Sequence, residues 1–282
     1  MALAGCSTDD QGSGASEDGA TNVARAPQRN PLKGTVLFHD TFDTGFNGWR
    51  DHYDSYSPCT ALSLTSYPVF SGSHALMIGC SAPPDAEYTN GWSGSNNPAA
   101  IKNLSRYFDG NLVTFSCYVT HGTDASTASL GGYMLMIDTQ SWDEKKRSMF
   151  QLTVQRNSSS GNRALFIADE HGKPAQIPGS GAANFAGDNQ NKFNFDWMSL
   201  TIDLGANDGS GGYHSCQINN KVFDLTKLHG GSASFPPQAG SPMESFAGGL
   251  NFCVVMWPGP PGSGESFLVI DQAVATVNEV LS

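Results

Sequence analysis

The chain is poor in charge. Of its 282 residues only 15% are Asp, Glu, Lys or Arg, against roughly 25% in ordinary soluble proteins. Those present are unbalanced, 15 basic against 26 acidic, for a formal net charge of −11. With no long basic run, that balance argues against a nucleic-acid partner. No apolar stretch approaches the roughly 18 residues that a membrane-spanning helix needs. Cysteine is scarce, six residues in all, with no Cys-x-x-Cys pair and no His/Cys spacing suited to zinc. Helical periodicity is also missing, so long helices are not expected. Glycine and proline are plentiful instead, 32 and 15 residues. Dense turn punctuation with few charges points to many short strands.

From Thr35 onward the apolar residues recur at every second position. Residues 36–38, 61–64, 75–78, 112–119, 133–137, 150–155, 164–168, 197–203, 250–256 and 266–271 all read as strands. Two hairpins stand out. A Ser-Ser-Ser-Gly-Asn turn lies between residues 155 and 163, and Asn219-Asn220 separates Cys216-Gln217-Ile218 from Lys221-Val222-Phe223. Residues 144–149 and 241–246 have room for single helical turns. No linker divides this pattern and no fixed repeat runs through it. The expected fold is all-β, a single two-sheet antiparallel β-sandwich over residues 32–282.

Residues 1–31 are different. After Leu3, the one large aliphatic residue before Leu32 is Val23, and residues 7–30 are dominated by Gly, Ser, Asp, Ala and Thr. Such a stretch cannot bury enough apolar surface to offset its ordering entropy, so it reads as a flexible polar tether. At its head, Leu3-Ala4-Gly5-Cys6 resembles the lipobox of bacterial lipoproteins. That resemblance implies lipidation at Cys6, export, and membrane contact through a lipid anchor only. No basic and apolar signal segment precedes these residues, so Met1 is expected to begin a trimmed chain. The remaining cysteines fit export. Cys59 and Cys80 bracket two strand-like runs around Ser71-Gly72-Ser73 and are expected to form a disulfide. Cys117, Cys216 and Cys253 alternate with apolar residues, so at least one should be a buried free thiol. None has a basic neighbour in sequence that would activate it as a nucleophile.

The two ends of the sandwich carry a further likeness. Phe38-His39-Asp40-Thr41-Phe42-Asp43, followed by Phe46-Asn47-Gly48-Trp49, resembles the opening of extracellular jelly-roll domains. Phe267 to Asp271 resembles their last strand, which pairs beside the first. Carbohydrate-binding modules and concanavalin-like polysaccharide lyases share this framing. The resemblance therefore implies a jelly roll with a polysaccharide or oligosaccharide partner. The Glu-x-Asp-x-x-Glu of laminarinase-type hydrolases and the Gln-(Ile/Val)-His of the common alginate lyases are both missing from the chain.

In concanavalin-like sandwiches a concave sheet forms the ligand groove, and long polar or aromatic residues on neighbouring strands are the candidates to line it. Tyr118, Tyr133, Gln151, Arg156 and His214 supply them. Tyr118 and Tyr133 would stack on sugar rings or handle protons. Gln151 and Arg156 would hold hydroxyls or a carboxylate, and His214 would carry a proton. A glycosidase would instead need paired carboxylates. Asp138, Asp143 and Glu144 lie close in sequence, as do Asp169 and Glu170, but residues 143–147 read as a solvated charged loop and residues 169–173 as a turn. Asp40, Asp43 and Asn47, with Asp271 from the last strand, offer oxygen ligands for a structural calcium, although the same residue types stabilise turns without metal. The leading expectation is an exported, surface-tethered protein that degrades an extracellular polysaccharide as a lyase or glycoside hydrolase. A non-catalytic carbohydrate-binding or adhesion module is the alternative, and a structural cell-envelope protein the third. The size of the globular part favours an enzyme.

Overall fold

The computed structural model describes residues 32–51, 60–80, 98–105, 108–123, 131–156, 163–183, 185, 193–226, 228, 235–257 and 266–281, with the side chains of residues 60, 61, 80, 123 and 156 left aside. Sixteen strands run through them. The first eight are β1 Thr35–Asp40, β2 Arg50–Asp51, β3 Thr60–Thr65, β4 Ala75–Cys80, β5 Ala99–Ser105, β6 Leu112–Thr123, β7 Gly132–Gln140 and β8 Arg147–Arg156. The rest are β9 Arg163–Ala168, β10 Pro174–Gln176, β11 Asp196–Asp203, β12 Gly212–Ile218, β13 Lys221–Asp224, β14 Gln238–Gly240, β15 Gly249–Trp257 and β16 Ser266–Val277. Sheet A has the order β13-β12-β11-β6-β16-β4-β3, with β1 also on β16. Sheet B has the order β10-β9-β8-β7-β15-β5-β2, with β14 also on β8. The fold is the expected all-β, two-sheet antiparallel sandwich.

Alternation builds the core. Val113, Phe115, Cys117 and Val119 of β6 and Leu200 and Ile202 of β11 point inward from sheet A. They meet Leu135 and Ile137 of β7, Phe150, Leu152 and Val154 of β8, and Phe252 and Val254 of β15. Each such side chain contributes about 1.5–3 kcal/mol of burial. The outward faces are also covered in part. Tyr118, Trp197 and Val269 cluster on sheet A, and Ile101, Met134, Cys253, Val255 and Trp257 on sheet B.

The chain ends meet as the framing motif implies. Trp49 packs against Phe38, Phe42 and Phe115, and its indole N–H donates to Asp40 at 2.9 Å. The last strand is longer than residues 266–271, and its second half is what pairs with β1. An irregularity between Asp271 and Val274 divides it, so Ser266–Ile270 pair with β4 and Ala273–Val277 with β1. The Glu279 carboxylate then accepts the backbone N–H groups of Lys33 and Gly34. Two local expectations differ in outcome. Asn219-Asn220 does turn between β12 and β13, with Asn219 at φ 52°. The room for a helical turn at 144–149 is taken by β8, which begins at Arg147, whereas Glu244–Phe246 does form a 3-10 turn.

Candidate functional site

The outward face of sheet B carries a polar row that crosses five strands. Asp138 of β7, Asn251 of β15 and Asn103 of β5 are direct cross-strand neighbours, close enough for their side chains to bond. The Arg147 guanidinium grips Asp138 with two bonds, Nε to Oδ1 at 3.0 Å and Nη2 to Oδ2 at 2.8 Å. Asn251 donates its amide to Asp138 Oδ2 at 3.2 Å. Asn103 donates to Asn251 Oδ1. Arg50 of β2 closes the row, Nη2 donating to Asn103 Oδ1 at 2.7 Å. Every donor from Arg50 onward points toward the Asp138 carboxylate, so each bond polarises the next. Asp138 and Asn251 are buried, while Asn103 and Arg50 are exposed at the outer end.

That outer end opens into a cavity of about 510 Å³, whose lining includes Arg50, Asn103, Ser105, Ser245, Phe246 and Gly249. Ser245, Phe246 and Ala247 form one wall of it, and the 241–248 segment that carries them is fastened to sheet B. Gln140 Nε2 donates to the Met243 carbonyl at 2.5 Å, and Met243 N–H returns to Gln140 Oε1 at 2.7 Å. The Arg147 guanidinium also lies 5.5 Å from the Phe246 ring centroid, tying the wall to the polar row. Gly249 makes room for that ring, because a Cβ there would stand 2.2 Å from Phe246 Cε2.

The residues expected to share one groove do not share one face. Gln151 does lie on the outward face of sheet B, where its amide donates to Gln238 Oε1 of β14 at 2.8 Å. Tyr118 is on the outward face of sheet A, stacked on Phe70 at 3.5 Å between centroids. Tyr133 points the opposite way from the row and is fully buried in the core. His214 belongs to β12 in sheet A, beside a register irregularity, with Nδ1 3.1 Å from Ser215 Oγ. Arg156 ends β8, its side chain outside the described residues. The single concave face is thus corrected. Alternation identifies two faces per strand but not which one the second sheet covers.

Asp40, Asp43 and Asp271 do not fit calcium as a set. Lys102 Nζ lies 2.7 Å from Asp40 Oδ2, which also takes the Trp49 indole, so a protein cation already holds that oxygen. Asp43 Oδ1 accepts the N–H groups of Ser73 and His74; these bonds, Ser73 first, hold its pKa down to about 2. Asp271 accepts from Phe70, Ser71 and Gln272 N–H. Backbone donors are the partners a turn-forming carboxylate seeks. Among the described residues, no three His, Cys, Asp or Glu side chains group as a metal site.

Asp143 and Asp169 fill the loop and turn roles expected of them, accepting backbone N–H groups of Lys145 and of His171 and Lys173. Cys117, Cys216 and Cys253 are all buried free thiols, and burial pushes each thiol pKa far above its ordinary value. Cys6, Cys59 and the Cys80 side chain lie outside the described residues, although Thr60 is the backbone partner of Cys80.

No protein-family profile matches the chain, and no curated protein is similar to it in sequence. Solved structures are similar in fold. A cellulose-induced protein, Cip1, superimposes with a TM-score of 0.51 at 13% identity, over 87% of this chain and 99% of that one. An endo-β-1,4-glucuronan lyase from the fungus Trichoderma reesei gives 0.44 at 12% identity, over 89% of this chain and 96% of that one. The CBM22-1 xylan-binding domain from Paenibacillus barcinonensis Xyn10C gives 0.35 at 12%, over 90% and 99%. At 13% identity the likeness to Cip1 is one of fold.

Proposed function

We propose that the chain is a carbohydrate-recognition domain that binds a polysaccharide across the outward face of sheet B. The polar row running into an open cavity carries this reading. Amide and guanidinium planes present donors and acceptors at fixed angles, which suits the paired hydroxyls of sugars. Here those planes hold one another in place before any ligand arrives, so little side-chain freedom is lost on binding. The row supplies groups that hold hydroxyls. Of the expected proton carriers of a lyase, His214 and Tyr118 stand on the other sheet, Tyr118 stacked on Phe70, and Tyr133 in the core. Recognition is therefore favoured over turnover. The lipobox-like run ending at Cys6 would place this face at an outer surface, where such polymers are met.

Affinity electrophoresis through gels containing xylan, β-glucan or glucuronan tests the reading. The parent should be retarded by at least one of them and should release neither reducing ends nor unsaturated uronates. Arg50→Ala and Asn103→Ala should each weaken binding about tenfold, the scale of a lost hydrogen bond to a charged group. Unchanged retardation in both variants, or product formation by the parent, overturns it.

A further inference from the structure

We infer that Asp138 is a positioning residue for this site: it sets the direction of the amides that lead to the cavity, so that the site takes a glycan through free, unsubstituted hydroxyls. The inference rests on the recognition reading above and names the group that the site selects. Asp138 is buried and does not itself line the cavity. Its carboxylate takes the Arg147 guanidinium at both oxygens and the Asn251 amide at Oδ2. A carboxylate gripped in this way accepts and does not donate. Asn251 must therefore turn its N–H groups toward β7 and its oxygen toward β5. That oxygen, on a buried side chain, is met by a donor, the Asn103 amide. The oxygen of Asn103 is thereby left at the cavity end, where Arg50 Nη2 donates to it at 2.7 Å. Reversing the two amides together would set oxygen against oxygen at Asp138 and donor against donor at Arg50.

What reaches the cavity is a fixed pair of bonding groups. After the bonds of the row, Asn103 keeps a second N–H and a second carbonyl lone pair, on an exposed side chain that lines the cavity. Sugar hydroxyls satisfy both, donating to the oxygen and accepting from the N–H. An ether or ester oxygen can only accept. Ser105 and Ser245 line the same cavity, but a hydroxyl rotates to donate or accept and imposes no direction. The ion pair alone would account for Arg147, whose guanidinium also reaches the Ser241 carbonyl at 3.3 Å. It does not account for two Asn residues at paired positions of β15 and β5, where strands disfavour them. A relay does, because an amide donates from one atom while accepting at the other.

The test uses the full chain in affinity gels of xylan, β-glucan and glucuronan, each with its hydroxyls free or O-acetylated. The parent should bind the free form of its polymer about tenfold more tightly than the acetylated form. Asn251→Leu keeps the Asp138–Arg147 pair but cuts the relay, and Asp138→Asn lets residue 138 donate as well as accept. Each should weaken binding to the free polymer about tenfold and bring the two forms level. The lost ion pair should also lower the melting temperature of Asp138→Asn, but a purely structural role would leave the preference between the two forms as in the parent. Asn251→Leu decides alone if Asp138→Asn does not fold. If a folded variant keeps the parent's preference, or the parent binds both forms equally, the relay is overturned and recognition stands. If the parent binds no polymer, or Arg50→Ala and Asn103→Ala both bind like it, the recognition reading falls and the relay with it.

Discussion

Asp271 shows how a carboxylate read as a metal ligand can serve the protein alone. It is fully buried, and both oxygens take backbone N–H groups, Oδ2 from Phe70 and Ser71 and Oδ1 from Gln272. Desolvation outweighs those donors and, with repulsion from Asp43, holds its pKa up near 6. In the unfolded chain the same group titrates near 3.9. Between these values the folded state binds the extra proton, so this residue's contribution to stability falls as pH rises from about 4 through about 6, then stays level. Urea midpoints at pH 4, 5, 6 and 7 for the parent and Asp271→Asn check this. The parent should lose stability relative to the variant across that window; a constant difference between the two would remove Asp271 as the cause. The sequence showed an acid near a chain end, but not that the 66–74 loop would aim two N–H groups at one oxygen.

The strands were legible from their period, and the site was less so. β6, β7, β8, β11 and β15 stood out because Val, Ile, Leu and Phe recur at every second residue. β5 was missed, its run broken by Lys102 and Asn103, and with it went Asn103 of the polar row. Asn103, Asn251 and Arg50 become neighbours only through register, which no single strand reveals. One signal was available: Asn is disfavoured inside strands, so Asn251 amid Leu250 and Phe252 asked for a reason. The 241–248 segment makes the same point at the level of an element. Two bonds from one buried amide, that of Gln140, hold it against β7. Gln140→Ala should cost about 1–3 kcal/mol in stability, since two backbone groups lose their partner. Amide exchange around residues 243–246 should quicken, with weaker glycan retardation. Exchange unchanged from the parent would mean that the segment is held by Phe246 packing instead.

Among the described residues the two sheets are joined chiefly by apolar burial, with polar contacts between them from Lys102 of β5 to Asp40 of β1 and from Tyr213. Tyr213 of β12 in sheet A is fully buried and reaches β8 in sheet B, where Gln151 N–H donates to its hydroxyl at 2.7 Å. The hydroxyl in turn donates to the Gln151 carbonyl at 3.4 Å. Burial pushes the phenol well above its ordinary pKa, so it stays neutral. Alternation alone leaves open which of the neighbours Tyr213 and His214 turns inward. A register irregularity at Thr201/Ile202 settles it by pairing Ile202 with Tyr213 and Thr201 with Ser215, leaving His214 between them. Tyr213→Phe keeps the ring packing on Phe150 and Phe235 but strands a buried backbone N–H of β8. The expected cost is about 1–3 kcal/mol, a fall of roughly 2–12 °C in melting temperature for a domain of this size. Glycan binding should persist, because the row from Arg147 to Arg50 is held by its own bonds on the opposite face of sheet B. Thermal melts and gel retardation of the same variant separate the two effects. Lost retardation at an unchanged melting temperature would place Tyr213 in the site and overturn its role as a bridge between sheets.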